Sequence, residues 1–279
     1  MPIFIKLKEE DRINLFKIIK NKIKYSWEKF YPKLKISRGS FFNYLSGRYD
    51  IPEEILIKLQ DTARIKLQIM KITEKPRYLE KQIKKFNLDN KLAEIFGILN
   101  GDGHISKSNY EICVVGNSLE KEYYTYLKNL FESKFRTSFT FIIDKSSFKL
   151  KVYSKHLSNI LVGEYGLPKG NKMGQLRIPK QVISSDYLLK SYLRGLFDTD
   201  GCFHIRRKKD PMIGITSADP RFLEEIKSAF TYLGFKVAKG ADRMFIYHKS
   251  DIARFFKEIK PANSKHLKKY QNFQDLKRG

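Results

Sequence analysis

A repeat restricts what this chain can fold into more than any other feature. Residues 92–103 and 191–201 each form an apolar helix pattern with a glycine (Gly97, Gly195), then four residues, then Asp-Gly; the aspartates, Asp102 and Asp200, stand 98 residues apart. The segments downstream of the two copies repeat as well. After Asp102 come strand-like runs near 104–108 and 110–116, then a helix carrying Tyr124, Leu127 and Phe131. Strands at 139–143 and 148–153, joined by the polar turn 144–147, lead to a short helix with Leu157, Ile160 and Leu161. After Asp200 come strands near 202–207 and 212–217, a helix with Phe222, Ile226 and Phe230, strands at 235–238 and 244–247, and a helix with Ile252, Phe255 and Phe256. Periodicity therefore predicts αββαββα twice, an α+β fold of two pseudo-symmetric halves over 88–180 and 181–279.

The glycines give the repeat a chemical meaning. Gly97 and Gly101 lie four apart on one helical face, as do Gly195 and Thr199. Small residues at that spacing let two helix backbones approach closely. Packed side by side, the helices would bring Asp102 and Asp200 together at their ends. Two converging carboxylates repel each other unless a divalent cation lies between them. Hard oxygen ligands suit Mg²⁺, or Mn²⁺. Metal placed between two phosphodiesters activates water and stabilises leaving oxygens.

Before the repeat the chain reads as helical, and residues 1–75 are expected to form a small all-α domain, followed by a linker at 76–87. Ile13, Phe16, Ile19, Ile23 and Trp27 mark one apolar face. Ser37 as N-cap and Gly47 as terminating glycine predict a short helix at 38–46, and Pro52 with Glu53 and Glu54 opens another carrying Ile55, Leu56 and Leu59. This arrangement resembles a helix-turn-helix of phage-repressor type. The 38–46 helix would then enter the major groove, with Arg38, Ser40, Asn43 and Tyr44 as candidate contacts and Arg48 on a phosphate.

Charge agrees with a polyanionic partner. The 279 residues carry 55 Lys+Arg against 30 Asp+Glu, a formal net charge of +25. Residues 1–86 contribute +11 and the remainder +14, so no single tail holds it. Nucleic acid is the usual partner of so basic a chain. With 42% hydrophobic residues the chain can build ordinary cores, which excludes a disordered basic arm. No run of 18 apolar residues exists and the start lacks signal-peptide character. Two cysteines, Cys113 and Cys202, cannot make a disulfide framework, and a reducing compartment is expected, cytoplasmic (nucleoid-associated) or organellar.

The paired motifs and matching downstream order resemble the LAGLIDADG homing endonucleases in their single-chain, two-motif form, over about residues 88–270. The resemblance implies a saddle of two four-stranded antiparallel sheets in the major groove of a long, near-asymmetric DNA site, cut by a monomer. It implies catalysis and metal binding at Asp102 and Asp200, with the backbone of Gly101 and Thr199 nearby. A basic residue after the last helix of each half, Lys172 and Lys265, would orient water or stabilise the pentavalent phosphate. One departure is Asn100, where the second copy has Asp198 and the family usually carries an acid. His104 and His204 come after their aspartates at different offsets, which argues against metal ligation.

On the strands, Lys149 and Lys151 alternate with Phe148, Leu150 and Val152, giving one basic and one apolar face. Arg206, Arg207, Lys208 and Lys209 lie in the first turn of the second half, while Lys236, Lys239 and Arg243 flank its last hairpin. Lys107 and Lys145 complete the candidate DNA contacts. Met1-Pro2 at the start, with no terminal His-Asn or nucleophile, fits a free-standing or intron-encoded protein better than a whole intein. Two other functions fit the fold: an RNA-splicing maturase acting on intron RNA, and a DNA-binding regulator that does not cut. The second is disfavoured because a non-cutting scaffold has no need of two converging carboxylates.

Overall fold

The computed structural model describes residues 4–65, 72–73, 86–206 and 210–275. They fall into two compact units, Met1–Leu79 and Glu80–Gly279. The expected linker at 76–87 lies outside the described residues except for 86 and 87.

The first unit runs β1 (Phe4–Ile5), α1 (Glu9–Ile23), α2 (Trp27–Phe30), a 3-10 turn (Tyr31–Leu34), α3 (Arg38–Ser46), β2 (Ile51–Pro52), α4 (Glu53–Ala63) and β3 (Ile72–Thr73). The expected short helix forms with both its signals in use. The Ser37 side chain accepts from Ser40 N at 3.1 Å, and Gly47 ends α3 at φ 74°, in the left-handed region where a side chain is disfavoured. Phe41 of α3, fully buried, is ringed by Phe16, Trp27, Phe30 and Phe42 at centroid distances of 5.1–5.9 Å.

Two expectations for this unit need correction. It is not all-α: β1 pairs antiparallel with both β2 and β3. Two-residue strands leave no periodic signal, which is why the sequence pattern misses them. The apolar face of α1 is Leu15, Phe16, Ile19 and Ile23, whereas Ile13 is 56% exposed and Trp27 opens the next helix. At 3.6 residues per turn, Ile13 sits roughly 100° off that stripe.

The second unit is α+β. Its first half comprises α5 (Asn90–Asn100), β4 (Gly103–Ile105), β5 (Glu111–Asn117), α6 (Lys121–Phe135), β6 (Thr140–Asp144), β7 (Ser147–Tyr153) and α7 (Lys155–Gly163). After α8 (Lys180–Ile183), the second half comprises α9 (Asp186–Asp200), β8 (Gly201–Arg206), β9 (Asp210–Thr216), α10 (Pro220–Tyr232), β10 (Ala238–Lys239), β11 (Arg243–Ile246), α11 (Lys249–Glu258) and α12 (Ser264–Asp275). The strand orders, β4-β5-β7-β6 and β8-β9-β11-β10, are the same pattern used twice. Both halves have the αββαββα order; α12 is an addition that the sequence pattern did not predict. The strand expected at 235–238 shrinks to Ala238–Lys239. Phe235 packs instead on Phe230 and Phe255, with ring centroids 5.6 and 6.3 Å away.

Helices α5 and α9 cross at their glycines. A Cβ on Gly97 would collide with Tyr192 O and Leu196 N, and one on Gly195 with Glu94 O and Ile98 N. Those neighbours are related by the same 98-residue offset as the glycines, so the crossing is a local two-fold. Close approach is what glycine supplies here. One polar contact beside the crossing breaks the symmetry. Glu94, 3% exposed, accepts from Tyr126 Oη at 2.5 Å and from Arg194 Nη1 at 3.1 Å, while Arg194 Nε donates to Ile259 O at 3.0 Å. Burial raises the Glu94 pKa, opposed by Arg194 and Tyr126.

Candidate active site

The helix crossing determines where the motif aspartates emerge. Asp200 is the last residue of α9, and Asp102 lies between α5 and β4. Asp102 is exposed and Asp200 half-buried. A Cβ on Gly101 would lie 3.3 Å from Asp200 Oδ1, so the two motif ends abut. The electrostatics agree: burial and then the Asp102 charge push the Asp200 carboxyl up to about 7, against the pull of Lys172. Asp102 is raised too, by desolvation, with Lys172 and Lys265 opposing and Glu120 adding to the rise.

Lys172 reaches into this junction from the segment after α7. Its Nζ donates to Gly101 O at 2.5 Å and Asn100 O at 3.1 Å. Desolvation lowers its pKa, while Asp200 and Asp102 raise it. Lys265 follows α11, as expected, and lies in the first turn of α12. It pairs with Glu120, at 3.1 Å from Oε1 and 3.5 Å from Oε2.

The Asn100 departure has a physical explanation. Asn100 Nδ2 donates to Arg177 O at 2.9 Å and to Tyr192 Oη at 2.7 Å. At the equivalent place, buried Asp198 accepts from Ala262 N at 2.8 Å and Asn263 N at 3.1 Å. One half presents a carbonyl and needs a donor; the other presents amides and needs an acceptor. Both residues tie the segment after their half's last helix, the segments that carry Lys172 and Lys265, to a motif helix. Burial raises the Asp198 carboxyl to about 7 despite its two amide partners.

A hard cation fits the oxygen chemistry of the two carboxylates. Among the described residues no cluster of three or more His, Cys, Asp or Glu gathers to hold a metal. Of the candidate backbone neighbours, the Gly101 carbonyl already accepts from Lys172. The Thr199 hydroxyl donates back to Gly195 O at 3.2 Å and Leu196 O at 2.9 Å within its own helix.

The sheet faces sort the remaining candidates. Phe148, Leu150 and Val152 of β7 are buried against the helices, while Lys149, Lys151 and Tyr153 take the other face, in register with Val115, Cys113 and Glu111 of β5. Lys149 binds Glu111 at 2.6 Å. On the second sheet, His204, Arg206, Met212, Gly214, Thr216 and Arg243 share the corresponding face. Burial, then the charges of Arg206, Arg243 and Lys269, lower the His204 pKa. Lys107, Lys145 and Lys236 are exposed, and Arg207, Lys208 and Lys209 lie outside the described residues.

Two candidate contacts are corrected. Lys239 is in register with buried Met244 and binds Glu224 of α10 at 2.7 Å, so it faces the helix layer. Tyr44 is 6% exposed and belongs to the core of the first unit. Of its neighbours, Arg38 binds Glu28 at 3.0 Å, Ser40 Oγ lies 2.9 Å from Ser37 Oγ, Asn43 is half-buried and Arg48 is exposed.

Sequence reasoning missed Glu120 and Asn263. Asn263 Nδ2 donates to Glu120 Oε2 at 2.6 Å, and both residues reach the site only through the fold. No spacing relative to either motif marks them.

No curated protein sequence matches the chain. Among solved structures it is similar to I-DmoI in complex with DNA and Mn, at 14% identity, covering 62% of this chain and 97% of that one with a TM-score of 0.46. It is similar to the LAGLIDADG meganuclease I-AabMI bound to uncleaved DNA, at 13% identity, 68% and 90% coverage and a TM-score of 0.47. It is also similar to the N-terminal LAGLIDADG domain of DUF199/WhiA, at 15% identity, 67% and 95% coverage and a TM-score of 0.43. Residues 188–260, which contain most of α9, Asp200 and the second sheet, match the family described as LAGLIDADG-like domain. The chain thus carries a LAGLIDADG-like domain, and its first half repeats that domain's strand order around a second motif helix.

Proposed function

We propose that this protein is a divalent-metal-dependent endonuclease that cuts both strands of a long, near-asymmetric DNA site, as homing endonucleases do. The observation that carries it is the junction of Asp102 and Asp200 at the ends of two helices locked by reciprocal glycines. A like-charged pair held this closely, in a chain of net charge +25, is a poor structural device and a good cation site. Asp102 and Asp200 would hold Mg²⁺ or Mn²⁺, which when bound supplies Lewis acidity and an activated water. Lys172, half-buried beside both carboxylates, orients the scissile phosphate and stabilises negative charge on its oxygens. Lys149, Lys151, Arg206 and Arg243 present cations on the sheet faces that would lie along the DNA, and α3 with Arg48 adds contacts from the first unit.

The test uses the full chain with duplexes recovered from a randomised library by retention on the protein. Asp200→Asn should abolish cutting in Mg²⁺ while retention stays within a few-fold of wild type. Equal loss of both would undo the assigned role. Retention without any cutting by the wild type would instead mark a non-cleaving regulator, and preference for intron RNA a maturase. Arg48→Ala should reduce the slope of log affinity against log salt by about one; an unchanged slope removes the first unit from the DNA contact.

A further inference from the structure

The two halves share a topology but hold their lysines differently. Lys172 donates to two main-chain carbonyls and has no carboxylate hydrogen bond among the described residues. Lys265 is bound by Glu120, which comes from the opposite half and immediately precedes α6. Glu120 is fixed in turn by Asn263, which is 1% exposed. Asn263 Oδ1 accepts from Lys265 N at 3.2 Å, and Asn263 N donates to Asp198. A chain of hydrogen bonds therefore runs from α9, two residues before Asp200, through Asn263 to Glu120 and the Lys265 ammonium.

Among the described residues the second half has no such device. Asp219 precedes α10 as Glu120 precedes α6, but its carboxylate accepts from Arg221 N at 3.1 Å and Phe222 N at 3.4 Å, capping its own helix. Lys265 also acts electrostatically on Asp102, whereas Lys172 acts on both aspartates. The two lysines thus differ in their tethers and in the carboxylates they face.

We propose that Glu120 is a positioning residue that holds the Lys265 ammonium beside Asp102, so that Lys265 serves the cut in one DNA strand and that cut alone depends on Glu120. The proposal rests on the nuclease reading. A carboxylate beside a cation dampens its charge but fixes its place, and misplacement by about 1 Å can cost a hundredfold in rate. Glu120→Gln keeps the shape and one acceptor while removing the charge that orients the ammonium.

The experiment measures single-turnover cutting by the full chain in Mg²⁺, on a library-selected duplex with each strand labelled separately. Glu120→Gln should slow one strand roughly tenfold or more, leave retention of the duplex unchanged, and make nicked DNA accumulate. Lys265→Gln should slow the same strand. The double variant should be no slower than Lys265→Gln, because Glu120 acts through that lysine. Equal slowing of both strands, additive losses in the double variant, or a Glu120→Gln rate like wild type would each overturn the proposal. If the wild type cuts neither strand, the nuclease reading fails first and takes this inference with it.

Discussion

Gly195→Ala should be far more damaging than its chemistry suggests. In an open helix the change stabilises by about 1 kcal/mol, because alanine loses less conformational freedom. Here the added carbon would stand 3.0 Å from Ile98 N and still nearer Glu94 O, both backbone atoms of α5. No rotamer relieves a clash with main chain, so α9 must move away from α5. Overpacking costs about 1–3 kcal/mol and more where backbone has to shift. Separation also loosens the contacts of Tyr192, Leu196 and Ile98, which are fully buried around the crossing. The net expectation is a loss of about 3 kcal/mol, or roughly 6–12 °C in Tm at about 2–4 °C per kcal/mol for a unit of this size. Gly163→Ala is the control: nothing lies within 4 Å of its Cβ, so that variant should be neutral or up to about 1 kcal/mol more stable. Urea unfolding of both variants, with the thermal melt, measures the contrast. A Gly195→Ala protein within about 1 kcal/mol of wild type would refute the claim that close backbone approach holds the two halves together.

Asn100→Asp should cost about 2 kcal/mol in denaturant unfolding, because it turns a carboxylate toward the Arg177 carbonyl; Asp198→Asn should cost a similar amount by depriving the Ala262 or Asn263 amide of its acceptor. Neutral behaviour of either would break the donor–acceptor account of the asymmetry. With the Asp200 carboxyl at about 7, a proton occupies it below that pH and must leave before a cation can bind. Mn²⁺ affinity, measured calorimetrically, should therefore fall about tenfold per pH unit below 7 and level off above it; a flat profile across that range would contradict the metal assignment.

How much of this was legible in the sequence depends on range. The repeat, its strand pattern and α3 with its caps rest on local periodicity, and each appears in the structure. The meeting of the two motif ends was legible because the glycine spacing carries its own geometry. Glu120 was not, since it comes to Lys265 across 145 residues and no local pattern records such a contact. Lys239 was misassigned because the face of a two-residue strand depends on the register with β11, which no alternation that short can fix. Tyr44 failed for a related reason: on a nine-residue helix, an aromatic near the polar face can still turn into the core.

The contact of Glu94 with Arg194 restricts which halves can associate. By the 98-residue offset, Glu94 corresponds to Tyr192 and Arg194 to Phe96. Were two first halves from different chains to pair through their motif helices, each Glu94 would face Phe96 and lie buried without a cation. Two second halves would strand Arg194 against Tyr192 in the same way. Losing one partner of a buried ion pair costs about 3–5 kcal/mol, and the pairing of two first halves incurs it twice, while half-buried Arg194 loses its carboxylate at smaller cost. Glycines alone would allow any half to dock on any other. The Glu94–Arg194 pair beside them makes the joined halves of one chain the preferred match, and so keeps two copies of a duplicated fold from exchanging parts.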